Sequence, residues 1–329
     1  KLRKWAAYVD KYLLFPRRIR RELKSRKNPV HLIHIIDHSN AVYLPLLKRL
    51  TGAKKIITCH DLIAIRTAKG EFDQAQKTSK SGKRLQKWIA DSLHHADYYA
   101  CDSRQTLEDL NRLIPLSKEK SSVLHLGTEP DLTSALKKKS LARILPFDPQ
   151  ITNFLLHVGS AAWYKNRKAV FRSFIHAHTC LPDQNLKLVL VGPEPQKEEL
   201  DDQLANWIIS NPSAIHSLQN LPENILGELY KYAQALVFPS FIEGFGWPPL
   251  EATLCGCQVI TSAQGAIKDI LKNHAHYIDP LDQYLINSVI LKMLQNPKRN
   301  LPIPQIPSNT DCKVSYFELY KKLINELNY

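Results

Sequence analysis

Residues 235–261, ALVFPSFIEGFGWPPLEATLCGCQVIT, constrain this chain more tightly than any other stretch. Residues 235–238 are a short apolar run of strand formers, Gly244 and Gly246 punctuate a turn, and Pro248 and Pro249 stand where a first helical turn tolerates proline. Gly256 suits the position that closes a helix, and residues 258–261 begin a second strand. The stretch reads as a βαβ unit whose loop leaves the carboxyl end of its first strand, the edge at which open parallel sheets bind ligands.

Two carboxylates bracket the loop: Glu243 before the glycines and Glu251 in the early helix. Backbone N–H groups at Gly244, Phe245, Gly246 and the helix start offer donors to a phosphate or a sugar oxygen, because a helix N-terminus carries about half a positive charge. A carboxylate at Glu251 can accept hydrogen bonds from a vicinal diol such as a ribose, each contributing about 1.5–3 kcal/mol because the acceptor is charged. Taken singly, each glutamate has a plainer explanation. Glu251 complements the helix dipole, and Glu243 is a solvated loop residue.

The combination E-G-F-G-W-P-P-L-E, preceded by V-F-P-S and followed by A-x-x-C-G-x-x-V-I-T-S, closely resembles the E-x7-E region of retaining glycosyltransferases with the GT-B fold, family four. By that resemblance the residue at Glu251 holds the nucleotide ribose of the donor. Glu243, with the amides of Gly244, Phe245 and Gly246, holds the donor sugar. The implied fold is α/β: two Rossmann-like, doubly wound parallel-sheet domains facing a cleft. The implied reaction moves a hexose with retention from a UDP-, GDP- or ADP-sugar to a hydroxyl of a glycan or lipid-linked acceptor, with no metal required.

The resemblance extends to other positions. His60-Asp61 follows an apolar stretch at 54–59 and matches the family's H-D pair, which places an imidazole beside the donor sugar. Gly159 with Lys165 matches a glycine followed by a basic pair that neutralises the donor diphosphate. A tyrosine, Tyr164, occupies the usual arginine position, so Arg167 is the substitute. Gly192 ends another strand, and Leu218 falls where relatives cup the nucleobase. His60, Lys165 and Glu243 are thus the candidate catalytic residues. Without the family pattern, a histidine at a strand end reads as structural and a lysine as solvated.

Strands and helices alternate along the chain, which argues for parallel sheets. The expected domains are residues 1–146 on the acceptor side and 147–310 for the nucleotide sugar, joined by a basic, proline-containing linker at 137–151. A closing segment, 311–329, is expected to pack back toward the first domain. Residues 63–82 read as a polar, weakly periodic loop. The resembled family opens with a strand and a glycine-rich turn at the donor phosphates; neither is found, so the numbered chain is expected to lack the first βα unit of its first domain.

Net charge is +14, and eleven Lys or Arg within residues 1–27 face only Asp10 and Glu22, interleaved with aromatic and leucine side chains. Such a segment suits an anionic membrane surface, at about 1 kcal/mol per basic residue near the lipid. A helix pair whose aromatics pack on the domain explains it equally well. No nucleic-acid module accompanies the charge, and nucleic acid is not expected as a partner. The cysteines form no C-x-x-C, so neither zinc nor a disulfide framework is supported. Without an apolar run of about 20 residues or a signal peptide, the expected location is cytoplasmic, peripheral on the inner membrane face. The rival from another class is a non-catalytic sugar-nucleotide or glycan binder of the same fold. A nicotinamide enzyme is disfavoured because no G-x-G-x-x-G follows a strand.

Overall fold

The computed structural model describes residues 2–115, 120–128, 144–296 and 305–326. The chain divides into two compact units, one of Lys1–Asp73, Lys77–His125 and Asp311–Tyr329, the other of Gln74–Gln76 and Leu126–Thr310. Each is built on its own parallel sheet.

In the first unit the strands β1 (Leu32–Ile35), β2 (Lys54–Cys59), β3 (Tyr98–Cys101) and β4 (Ser121–Val123) lie in sequence order, every pair parallel. Their side chains alternate between two covers. Ile57 and Cys59 of β2 join a cluster with Leu93, Tyr99 and Leu110. Ile56 turns the other way, against Tyr98, Leu319 and Leu323. The helix Asn309–Asn325 brings those last two residues, so the chain's closing helix covers one face of this sheet. A polar knot secures it: His34 Nδ1 lies 2.6 Å from the Tyr320 hydroxyl, His34 Nε2 lies 2.8 Å from Thr58 Oγ1, and Thr58 in turn meets the Tyr316 hydroxyl at 3.0 Å. Beside β1, at the end of the strand order, a groove of about 670 Å³ is lined by Ile19, Leu23, Ile33 and Tyr43. None of the site residues selected from the sequence lines it.

Residues 63–82 depart from the expected loop. Ile63–Lys69 is a helix, with Ile63 and Ile65 buried and Gly70 closing it at φ +80°. Its two isoleucines are too few for a helical period to show in so short a stretch. Arg66 secures its end, donating to Glu71 and to Asp109 at 2.7 Å each. The helix Lys80–Leu93 then starts at Ser79, whose hydroxyl accepts from the Gly82 amide.

In the second unit the six-stranded order is β10 (His276–Tyr277), β9 (Val259–Thr261), β8 (Ala235–Phe238), β5 (Phe154–Val158), β6 (Lys187–Val191) and β7 (Ile215–Leu218), again all parallel. The central strands β8 and β9 read as unbroken apolar runs because both faces are buried, and β5 and β6 nearly so. Phe154, Leu156, Leu236 and Phe238 enter one core cluster, and Leu155, Ala235 and Val237 the other. The short elements Ile267–Leu271 and β10 had no sequence signal of their own; β10 is a two-residue ladder against Ile260 and Thr261. Of the expected linker at 137–151, the part up to residue 143 lies outside the described residues, as does most of the proline-rich stretch before the last helix.

Candidate active site

Strand order in the second sheet locates the site. β5 is the first strand of this sheet in sequence yet lies between β8 and β6, so the chain runs outward from β5 in one direction and returns to fill its other side. At such a reversal the loops leaving the two central strands diverge and open a crevice at their carboxyl ends. Those loops carry the two motifs. β5 leads into Gly159 and the turn Trp163–Lys165, and β8 leads into Glu243 and the glycines.

The two loops are stitched together. The Phe241 amide donates to the Tyr164 carbonyl at 2.8 Å, and the Trp163 and Phe241 rings stack with centroids 6.3 Å apart. Lys165 Nζ donates to Glu243 Oε1 at 2.8 Å, with side-chain exposures of 13% and 8%. The ammonium also lies 4.8 Å from the centroid of Phe238 and 5.3 Å from that of Tyr164, so aromatic walls guide it onto the carboxylate. The resemblance assigns Lys165 to a phosphate and Glu243 to a sugar; the structure joins them in one ion pair.

Glycines make the close approach possible. Gly246 caps helix Trp247–Leu254 at φ +92°, and a Cβ there would run into the Ile267 side chain. A Cβ at Gly192 would strike the Gly159 carbonyl oxygen, so the turns after β5 and β6 touch through backbone. Phe245 is buried against Trp247, and its carbonyl accepts from the Ala266 amide at 3.1 Å. Pro248 and Pro249 bring no N–H, so the helix start contributes the Trp247 amide beside those of Gly244, Phe245 and Gly246.

Glu251 does more than complement a dipole. Its Oε2 accepts from the Tyr230 hydroxyl at 2.8 Å, and burial raises its pKa against the lowering effect of that bond. Tyr230 is fully buried, so the donor is fixed. Leu218 packs at the edge of the core beside Leu221, and its carbonyl accepts from the Gly192 amide. Arg167 has a different neighbourhood from the one expected of a phosphate ligand. Its side chain is 1% exposed, donates to the Pro193 carbonyl at 2.8 Å and pairs with Glu199 at 3.3 Å. It braces the loop after β6. His157, unmarked in the sequence reading, is wholly buried between the two central strands, Nδ1 bonded to the Val237 carbonyl at 2.9 Å. Burial pushes its pKa down to about 4, so it is neutral beside Lys165 and Arg167. Its only sequence signal was one imidazole in an otherwise apolar strand.

His60 stands at the same kind of edge in the first unit. It follows β2, and Asp102 follows β3; the register pairs Cys59 with Cys101, so the next residues emerge side by side. His60 Nδ1 lies 2.6 Å from Asp102 Oδ2, and Nε2 lies 2.8 Å from the Ile36 carbonyl oxygen. The Asp102 hydrogen bond, against an opposing effect of burial, raises the imidazole pKa to about 9. Asp61 accepts from the Ile63 amide at 2.9 Å and so starts the helix that follows. Among the described residues no group of three or more His, Cys, Asp or Glu is arranged to hold a metal ion.

The family pattern described as glycosyl transferases group 1 matches residues 146–303, and that of glycosyltransferase family 4 matches residues 3–132. The chain belongs to glycosyltransferase family 4. It is 26% identical over 299 residues to O-antigen chain mannosyltransferase B of Escherichia coli, covering 90% of this chain and 73% of that protein. It is 30% identical over 145 residues to O-antigen chain mannosyltransferase RfbU of Salmonella typhimurium, covering 44% of this chain and 39% of that one. Among solved structures, sucrose-phosphate synthase from Thermosynechococcus elongatus superposes over 95% of this chain and 78% of its own, with TM-score 0.70 at 20% identity. A UDP-forming α,α-trehalose-phosphate synthase from Burkholderia xenovorans does so over 97% and 79%, with TM-score 0.69 at 12% identity. At those identities the likeness carries the fold, and the fold of this family 4 member is GT-B. By its family the protein is a glycosyltransferase.

Proposed function

We propose that this family 4 enzyme moves a mannosyl residue, with retention, from a nucleotide-diphosphate donor to a hydroxyl of a glycan or lipid-linked acceptor during assembly of a cell-surface polysaccharide. The observation that carries the reading is the Lys165–Glu243 pair at the strand-order reversal, flanked by amides of the glycine loop. Lys165 retains two further N–H groups for the donor diphosphate while one is held by Glu243. At about 4 Å from a phosphate oxygen that cation contributes up to about 4 kcal/mol at an effective dielectric near 20, against about 0.3–1 kcal/mol for a helix end. Glu251, with one oxygen on Tyr230, offers the other to a ribose diol.

In the proposed step the acceptor oxygen forms a bond to the anomeric carbon as the bond from that carbon to the diphosphate breaks, on the same face of the sugar. The departing phosphate oxygen takes the acceptor's proton. No side chain need serve as a covalent nucleophile, and the protein contributes position and charge stabilisation. Lys165 and the loop amides meet the diphosphate charge, a role that requires no metal. The mannosyltransferase names of the relatives support the choice of sugar.

The test is turnover with GDP-mannose beside UDP-glucose and ADP-glucose, reading nucleoside diphosphate release, with the anomeric configuration of the product read by NMR. Transfer with inversion removes the retaining step. Donor binding with no turnover from any acceptor favours the non-catalytic reading.

For the basic segment we propose a peripheral contact with an anionic membrane surface. Helices Leu2–Val9 and Phe15–Ser25 continue into one another through a wider turn at Asp10–Leu14, and Tyr8, Val9, Leu13, Leu14 and Phe15 are exposed beside exposed Arg17, Arg18, Arg20 and Arg21. No described helix is long and apolar enough to cross a membrane. Co-sedimentation with vesicles containing anionic lipid, reversed by salt, is the expected result; equal sedimentation with neutral vesicles removes the electrostatic reading.

A further inference from the structure

A buried carboxylate serves His60, and nothing in the motif reading required it. Asp102 is 1% exposed by side chain, whereas the His60 ring is 43% exposed. Burying a carboxylate costs several kcal/mol unless its charge is answered, so this aspartate is poorly explained as packing. One of its oxygens meets His60 Nδ1, and the other, Oδ1, has no hydrogen-bond partner among the described residues. The neighbouring backbone holds the carboxylate in place: the Asp102 carbonyl lies 2.9 Å from His125 Nδ1, and Ser103 caps the next helix by accepting from the Thr106 amide. Thr106 also donates its hydroxyl hydrogen to the His60 carbonyl at 3.3 Å, fixing both residues from one helix turn.

The second ring nitrogen settles the protonation pattern. Nε2 lies against the Ile36 carbonyl, an acceptor without a hydrogen to give, so it carries a hydrogen; burial raises the pKa of Asp102 while its bond to His60 lowers it, and with the carboxylate charged Nδ1 carries a hydrogen too. Charged or titratable groups facing the ring are Asp37 and His38 from the turn after β1, His34 from β1, and Asp102; Asp61 and His125 act on Asp102 behind it. Burial holds His34 and His38 below their ordinary values, and of the carboxylates Asp102 and Asp37 favour the charged ring of His60.

We propose that Asp102 is a positioning residue that keeps the His60 ring doubly protonated and oriented, so that His60 serves sugar transfer as a hydrogen-bond donor and never as a base. The inference rests on the reading that His60 acts in transfer. In the donor role a sugar oxygen takes the place of the Ile36 carbonyl at Nε2–H, and the positive charge stays on the ring throughout.

The experiment is a pH titration of the full chain labelled with ¹⁵N-histidine, read alongside turnover from pH 5.5 to 9.5. In the unaltered protein the His60 resonance stays doubly protonated until about pH 9. In Asp102→Asn it titrates at least two pH units lower, and turnover, already reduced at pH 6, falls a further tenfold or more as pH rises through 8. Asp102→Glu restores most of the alkaline turnover, a rescue that loss of packing would not show. A His60 titration near 6.5 in the unaltered protein overturns the proposal without any variant, as does an unshifted titration in Asp102→Asn. Normal turnover in His60→Gln removes His60 from the transfer step, while a shifted Asp102→Asn titration in the same series still establishes what Asp102 does to the ring.

Discussion

Lys165 Nζ and Glu243 Oε1 lie 2.8 Å apart across 78 positions of sequence, each the terminus of a loop leaving one of two adjacent central strands. The pair is mostly desolvated, so removing one partner strands the other's charge, at about 3 kcal/mol for a buried pair. Lys165→Ala and Glu243→Gln are each expected to lower the midpoint of urea unfolding. The double variant Lys165→Met/Glu243→Gln should recover most of that stability and none of the activity.

Lys165→Ala should also lower kcat by about 10²-fold, the cost of deleting one charge-stabilising donor, with a smaller rise in KM. Steady-state kinetics with the preferred donor decide it. A rise in KM alone would move Lys165 to ground-state binding.

Glu251→Gln should raise the donor KM about tenfold or more, since a charged hydrogen-bond acceptor contributes about 1.5–3 kcal/mol. Tyr230→Phe tests the support behind it. Loss of the hydroxyl at 2.8 Å should cost about 1 kcal/mol of stability and loosen donor binding severalfold, with kcat preserved. Isothermal titration with the nucleotide diphosphate reads both.

Stability should depend on pH in opposite senses through two histidines. His157, pushed down to about 4 by burial, is neutral when folded, so an unfolded chain with pKa about 6.5 takes up the proton first as pH falls. Its contribution, up to about 3 kcal/mol, is complete above pH 6.5 and is lost on the way to about 4. His60, raised to about 9 by Asp102, contributes fully below 6.5 and loses that contribution as pH rises through about 9. Unfolding midpoints across pH 4 to 10 should therefore peak near 6.5, and His157→Gln should flatten the acid side.

Gly246→Ala should destabilise by more than about 1 kcal/mol, because φ +92° disfavours a side chain and its Cβ would meet Ile267. Donor affinity should fall with it, because this residue aims the loop amides. A variant with normal stability and affinity would show that the loop is not held as described.

Much of this was legible along the chain. The strand, glycine loop and helix at 235–254 form where the apolar run, the glycines and the prolines placed them, because those signals act within a few residues. The helix Ile63–Lys69 escaped because its stability comes from burying Ile63 and Ile65 and from the reach of Arg66 to Asp109, none of which leaves a local pattern.

What the sequence by itself determined was where the elements lie and which loops carry chemistry, since backbone preference and apolar spacing are local. The tertiary structure alone decided who faces whom. It joined Lys165 to Glu243, spent Arg167 on Glu199 and the Pro193 carbonyl, put Tyr230 behind Glu251, and set Asp102 against His60. Those pairings depend on strand order and register, which bring together residues 21 to 78 positions apart and which no local propensity encodes.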